Sequence, residues 1–287
     1  MSADVLVAGV LAGGLYALIG LGISLVFGVL KMMNLMHGEM VIGGAYLASI
    51  LVGHAGFDPL LALPFAMLGV AVLAYPLQRF LLSDLLQASG TAPLVATFGL
   101  SLIAQAVLQA AFGTHPKTLN ASYANTGFTF LGVRVQTVYA ISFGLTVLLC
   151  AGTHAILTRT RAGSAVRAAA ADPMTASLLG LNVGRIYALT LAGAAALAAA
   201  GGVMTGMAQS FTPSAGLPLL LTGFAVMALA GIGSVGGVLL GGITLGVLQS
   251  ISTDLFGGGW RNFVVYTVFF LTLSFRPNGL FRRAVLA

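Results

Sequence analysis

Long unbroken apolar runs constrain this chain more than any other feature. The first, VLVAGVLAGGLYALIGLGISLVFGVL at 5–30, carries no charge until Lys31. Similar runs follow at about 35–53, 60–79, 92–113, 137–157, 186–208, 217–250 and 262–275. A helix crossing a hydrocarbon core needs about 20 apolar residues. Strands of a membrane barrel would instead show alternating segments of about ten residues. The expected fold is therefore all-α, a polytopic transmembrane helical bundle of about eight hydrophobic segments. Charge content points the same way. Only 6% of residues are charged while 59% are hydrophobic, and twelve basic and six acidic side chains cannot clothe that much apolar material for water. Membrane lipid must solvate most of the outer surface.

Several function classes are disfavoured by the same reading. The net charge of +6 suggests no nucleic-acid partner, because the basic residues sit at the ends of apolar runs and form no dense patch interleaved with aromatics. Cys150, the single cysteine, lies inside an apolar run and reads as a small buried hydrophobe. His37, His54, His115 and His154 are scattered and match no metal-ligand spacing, so no metal and no catalytic residue is expected. Gly231, Gly233 and Gly236 match G-x-G-x-x-G, but a dinucleotide site needs a βαβ context and this stretch lies in a membrane run. No G-x-x-x-x-G-K-[ST] occurs, so the chain is not expected to hydrolyse ATP by the P-loop route. The N-terminus opens with Asp4 rather than positive charge, which favours a retained spanning helix over a cleaved signal.

Basic residues suggest an orientation. If 159–185 faces the cytoplasm, alternating spans place Lys31, Arg79, Arg159, Arg161, Arg167, Arg185, Arg276, Arg282 and Arg283 inside. Only Lys117, Arg134 and Arg261 fall outside. This positive-inside bias puts the N-terminus outside and the C-terminus inside. It also requires 217–250 to enter and leave on the outer side, as two short spans or a re-entrant pair broken at the glycines. Broken backbone at membrane depth survives only under protein or beside a wet cavity. Gly231, Gly233, Gly236 and Gly237 are thus expected to mark a helix break or close packing. The 39 glycines imply helices packed closely throughout.

Two segments hold the remaining polar candidates. Asn34, His37 and Glu39 lie at the start of the second span. Asn34 reads as a helix cap, and Glu39 as a carboxylate near the positive end of the helix dipole, with a gate or subunit contact as the functional alternative. The spans lack a set of mid-membrane carboxylates of the kind that couple transport to ions. Energy for uphill transport would then enter from outside the chain. Segment 159–185 is where it could enter. Asp172 followed by Pro173 is a strong helix start, Gly180 can end the helix, and Asn182 can cap the next span. The bland alternative is an amphipathic surface helix whose arginines rest near anionic lipid.

Three stretches carry a resemblance: FGVLKMMNLMHGEMVIGGAYLA at 27–48, GSAVRAAAADPMTASLLGLNVGRIYALT at 163–190 and GFAVMALAGIGSVGGVLLGGITLGVLQS at 223–250. Together they resemble the membrane permeases of bacterial ABC importers for branched-chain amino acids, of the high-affinity leucine/isoleucine/valine type. The likeness runs nearly the full length and implies a single permease domain over 1–287. It further implies a second homologous permease subunit, two cytoplasmic ATP-binding subunits that hold the ATP, and a periplasmic solute-binding protein. No cofactor is implied in this chain. Docking of the ATPase would fall on 163–180, with Arg167, Asp172, Pro173 and Gly180 as the coupling residues. The general ABC-permease loop has Glu-Ala-Ala, three residues, then Gly. Here Arg167-Ala168-Ala169 is followed by a distant Gly180, so the loop departs from the wider pattern. Permeases of urea and short-chain amide importers look similar and keep the substrate open, and an ion-coupled secondary transporter is the alternative by class.

Overall fold

The computed structural model describes residues 3–83, 85, 91–123, 126–130, 133–231, 233–276 and 279–281. Arg282 and Arg283, counted above among the inside charges, lie outside the described residues, as does much of 84–90. Helix α1 spans Ala3–Leu30, α2 His37–Ala55, α3 Pro59–Pro76 with a wider-wound extension Leu77–Leu82, and α4 Ala92–Phe112. Strands β1 (Gly127–Phe130) and β2 (Val133–Gln136) form an antiparallel hairpin. Then come α5 (Thr137–Arg159), α6 (Arg161–Ala171), α7 (Pro173–Leu178) and α8 (Val183–Ala208). Helices α9 (Gly216–Ala230), α10 (Val235–Phe256) and α11 (Arg261–Phe275) complete the chain.

Among the described residues eight helical stretches are long and apolar enough to cross a bilayer, so this is an all-α polytopic membrane bundle. The hairpin is a small addition within the polar interval. The eight are divided differently from the eight apolar runs of the sequence. The 217–250 run is an unequal pair: α9 has 15 residues and α10 has 22, from Val235 to Phe256. At 1.5 Å per residue α10 is about 33 Å long, while α9 alone is about 22 Å and reaches crossing length only with the turn Pro213–Ala215 before it, as the 18-residue stretch Pro213–Ala230. The last run, α11, is also short at 15 residues.

Helix α1 is the axis of the bundle and packs on α5, α8, α9 and α10. Residues Leu15 to Val26 are almost wholly buried. Its seam with α10 is glycine against glycine. A Cβ at Gly13 would lie 2.6 Å from the Gly242 carbonyl oxygen, and one at Gly242 would lie 2.5 Å from the Gly13 oxygen. The backbones touch because nothing projects between them, which is how membrane helices gain packing when apolar burial gives little drive. The glycines of α2 and α8 do the same work: Gly202 sits against the Val41 carbonyl and Gly44 against Ala199. By contrast α3, α4 and α11 expose large apolar side chains such as Leu68, Val95 and Phe270. Apolar area of that extent is what lipid or another membrane subunit covers.

Two connectors turn back into the bundle rather than staying at its rim. After α1, Lys31 takes a left-handed φ of 54° and residues 32–36 descend, with Met32 and Asn34 buried. Helix α2 then begins beside Gly22, roughly 12 Å short of the end of α1. At the other end, Phe211 and Pro213 are buried in the connector before α9. Phe211 is tied to Lys117 by a pair of 2.9 Å backbone hydrogen bonds. Irregular backbone at such depth is covered by protein, as the membrane demands.

Candidate functional site

The end of the bundle that carries the arginines of 159–185 presents a built element. Thr160 Oγ1 accepts from the Gly163 amide at 3.0 Å and caps α6. Gly163 is pressed on the Ile156 and Leu157 carbonyls, so α6 leaves α5 at a tight corner. Its alanine face, Ala169 and Ala170, is buried on the bundle. Asp172 then caps α7, accepting from the Met174 amide at 2.9 Å and from the Thr175 hydroxyl at 2.5 Å, with Pro173 at the first helical position. The Thr175 side chain and the two backbone amides hold the Asp172 carboxyl below its ordinary pKa. Helix α7 closes on Gly180 at φ +84°, where Gly180 N–H donates to Ser177 and Leu181 N–H donates to Ala176. That is a Schellman stop. Asn182 Oδ1 then caps α8 through the Arg185 amide at 3.0 Å.

The result is a short helical corner defined at every junction. On its tip Met174, Leu178 and Leu179 are 74%, 79% and 76% exposed. Three bare apolar side chains on six residues form a small exposed apolar patch. Arg167 is half-buried at the base of this corner, and its buried Nη1 has no hydrogen-bond partner among the described residues. An Asp172→Ala variant removes the α7 cap. Hydrogen exchange should quicken at the Met174 and Thr175 amides and leave α8 unchanged. Because the folded carboxyl is the more acidic form, the cap holds at neutral pH and is lost only as pH falls through that depressed value.

Asn34, His37 and Glu39 lie deep in the bundle and are buried. Asn34 does not cap α2. Its Oδ1 accepts from the Met36 amide at 3.1 Å, and α2 starts later, at His37, with Met36 in the cap position and no side-chain cap. The descent of 31–36 moved the helix start. The His37 ring fills the space at Gly22, where a Cβ would meet its Cε1 at 2.6 Å. Glu39 lies in the first turn of α2 and against Gly216, the first residue of α9. Two helix N-termini thus converge on one carboxylate, and their partial positive charge offsets part of its burial cost. Ser101 approaches Glu39 Oε1 at 3.5 Å, and Thr97 accepts from the Leu35 amide at 3.3 Å, so α4 touches the same point.

The four glycines of the α9–α10 turn fall in different places. Gly231 and Gly233 take φ values of +87° and +74° at the turn itself. Gly237 packs on the Ala230 oxygen, with a Cβ position only 2.5 Å away. Gly236 is exposed with open space around it, so neither strain nor packing demands glycine there. The C-terminal tail folds over this turn, with Leu280 N–H donating to the Leu229 carbonyl at 2.8 Å.

Two of the cavities among the described residues are large. One of about 680 Å³ is apolar and opens between α5, α6 and α8, past Leu148, Ile156 and Leu189. The other, about 740 Å³, lies at the hairpin end between α1, α10 and the start of α11. There Arg261 donates through Nε to Gln249 Oε1 at 3.3 Å and through Nη2 to the Tyr16 hydroxyl. The sequence reading missed this cluster, treating Arg261 only as an outside charge. A signal was present: Gln249, Ser250, Thr253 and Asp254 place polar residues on one helical face at the end of an apolar run.

Comparison with known proteins follows the same lines. The family model described as "Branched-chain amino acid transport system / permease component" matches residues 5–273. The high-affinity branched-chain amino acid transport system permease protein BraD of Pseudomonas aeruginosa is 31% identical over 97% of this chain and 95% of its own length. LivH of Escherichia coli K12, a permease protein of the same description, is 27% identical over 96% and 94%. Among solved structures, "PsaBC from Streptococcus pneumoniae in complex with Fab" is similar at a TM-score of 0.51 and 14% identity, covering 96% of this chain and 91% of that one. That last likeness is one of fold alone. With a family match over nearly every residue and a relative above 30% identity along almost its whole length, the chain belongs to the branched-chain amino acid ABC transport permeases, a family of transport subunits rather than enzymes.

Proposed function

We propose that the chain, as one permease unit over 1–287, carries branched-chain amino acids (leucine, isoleucine and valine) across the bacterial inner membrane. It works in an importer driven by ATP that other subunits bind. The observation that carries the reading is the α6–α7 corner: capped at both ends, pressed on α5, and bare at Met174, Leu178 and Leu179. A partner that grips such a rigid tip can move the spans α5 and α8 to which it is joined. The partner is a cytoplasmic ATP-binding subunit, one of two, and Arg167, Asp172, Pro173 and Gly180 shape the tip it holds. A second, homologous permease covers part of the exposed apolar surface, and membrane lipid covers the rest, including the apolar cavity beside α5 and α8.

In this orientation the arginine end is cytoplasmic and the hairpin end, with the N-terminus, faces the periplasm, where a solute-binding protein delivers substrate. Asn34, His37 and Glu39, where α2 and α9 both begin, are the point at which a gate would act. The test is uptake by the complete importer in proteoliposomes. Labelled leucine should accumulate and excess unlabelled isoleucine and valine should compete, while labelled urea should not enter. Urea uptake without leucine uptake would move the chain to the amide importers.

A further inference from the structure

We infer that the 740 Å³ cavity at the hairpin end is a binding site for an α-amino acid zwitterion with an aliphatic side chain, held by Arg261 at its carboxylate and Asp254 at its ammonium. This rests on the reading above and names the site at which the permease itself meets its substrate.

The volume lies within the ~300–1,000 Å³ usual for small-molecule sites. The walls differ in character. Val5, Ala8, Leu11 and Ala12 of α1 form an apolar side. Gln249 and Asp254 of α10 and Arg261 of α11 bring polar groups to the same cavity. A branched aliphatic amino acid has this same division: two charges at one end, an apolar tail at the other.

The charges are placed for a guest rather than for each other. Arg261 is bonded to Tyr16 and Gln249, not to Asp254. Those two bonds fix the guanidinium plane and use two of its five N–H donors. The remaining donors, on Nη1 and on Nη2, form an edge suited to a carboxylate. Tyr16 is buried and Gln249 is 5% exposed, so the guanidinium is anchored by groups that cannot swing away. Asp254 is exposed and lines the same cavity without any hydrogen bond or ion pair among the described residues. A cation and an anion that share a cavity yet remain apart leave each free to bind the opposite charge of a zwitterion. A neutral amide would offer neither.

The experiment is leucine uptake by the complete reconstituted importer, comparing wild type, Asp254→Asn and Arg261→Lys. Asp254 is exposed and makes no hydrogen bond or ion pair among the described residues, so Asp254→Asn should purify and assemble like wild type. A charged hydrogen bond lost at each end should lower uptake at sub-saturating leucine by about tenfold or more. Arg261→Lys keeps the charge but loses the planar edge, and should fall similarly. Detergent-purified permease should also bind labelled leucine in competition with unlabelled valine, and poorly with leucinamide, which lacks the carboxylate. Wild-type uptake by both variants, in an importer that does carry leucine, would overturn the site alone. An importer that carries urea and not leucine would instead overturn the substrate reading, and the zwitterion site with it.

Discussion

Gly180→Pro should leave the bundle inserted and assembled with its partners, yet reduce coupled uptake by tenfold or more. Gly180 holds φ at +84°, where proline, locked near −65°, cannot go. The substitution also removes the amide that donates to Ser177. Helix α7 would lose its stop and swing Leu178 and Leu179 away from their present positions. The bundle should tolerate the change because a side chain at Gly180 meets open space and no span packs on it. Insertion is read by detergent-purified yield and size-exclusion profile, coupling by leucine uptake per ATP hydrolysed. Gly180→Ala, strained in the left-handed region but retaining the amide, should show a smaller loss in the same direction. Unchanged coupling in the proline variant would remove α7 from the coupling path.

The second large effect is expected at the α1–α10 seam. Gly13→Val places a branched side chain where even a Cβ would lie 2.6 Å from the Gly242 oxygen and 2.6 Å from the Ile243 Cα. Both neighbours are backbone, so the helices must part. Overpacking of this kind costs about 1–3 kcal/mol or more, and in a chain of this size each kilocalorie is worth roughly 2–4 °C in Tm. Gly13→Val should therefore lower the melting temperature in detergent by several degrees, up to about 12 °C, or prevent a monodisperse preparation. Gly144→Ala is the contrast. That glycine is exposed on α5 with nothing within 4 Å, and alanine is the better helix former. It should be neutral or slightly stabilising. Equal melting of the two variants would mean that α1 and α10 do not pack as closely as described.

What the sequence made legible was local or compositional. Apolar runs locate the spans because bilayer thickness sets their length. Asp172-Pro173 and Gly180 announce α7 because caps and stops depend on a few adjacent residues, and the structure has both at those positions. Asn34 misled because the descent of 31–36 is a tertiary event. The residue looks like a cap, but α2 begins three residues later, where the burial of His37 beside Gly22 places it. The glycines of 231–237 marked the break, but the unequal lengths of α9 and α10 were hidden, because α10 runs on past the apolar limit at 250 to Phe256 through polar residues that hydropathy does not assign to a span. Arg261 and Tyr16 meet across 245 residues, a separation at which no spacing argument operates. The glycine seam lies between these cases. Gly9, Gly13, Gly242 and Gly246 repeat every fourth residue on their own helices, but which helix each faces is a matter of packing.

Solute movement powered by other subunits at the arginine end is tested by leucine uptake into proteoliposomes holding both permeases, the ATP-binding subunits and the solute-binding protein, with ATP enclosed, with ATP omitted, and with an ion gradient in place of ATP. Accumulation only where ATP is enclosed is the predicted result. Accumulation by this chain alone, driven by the ion gradient, would contradict it.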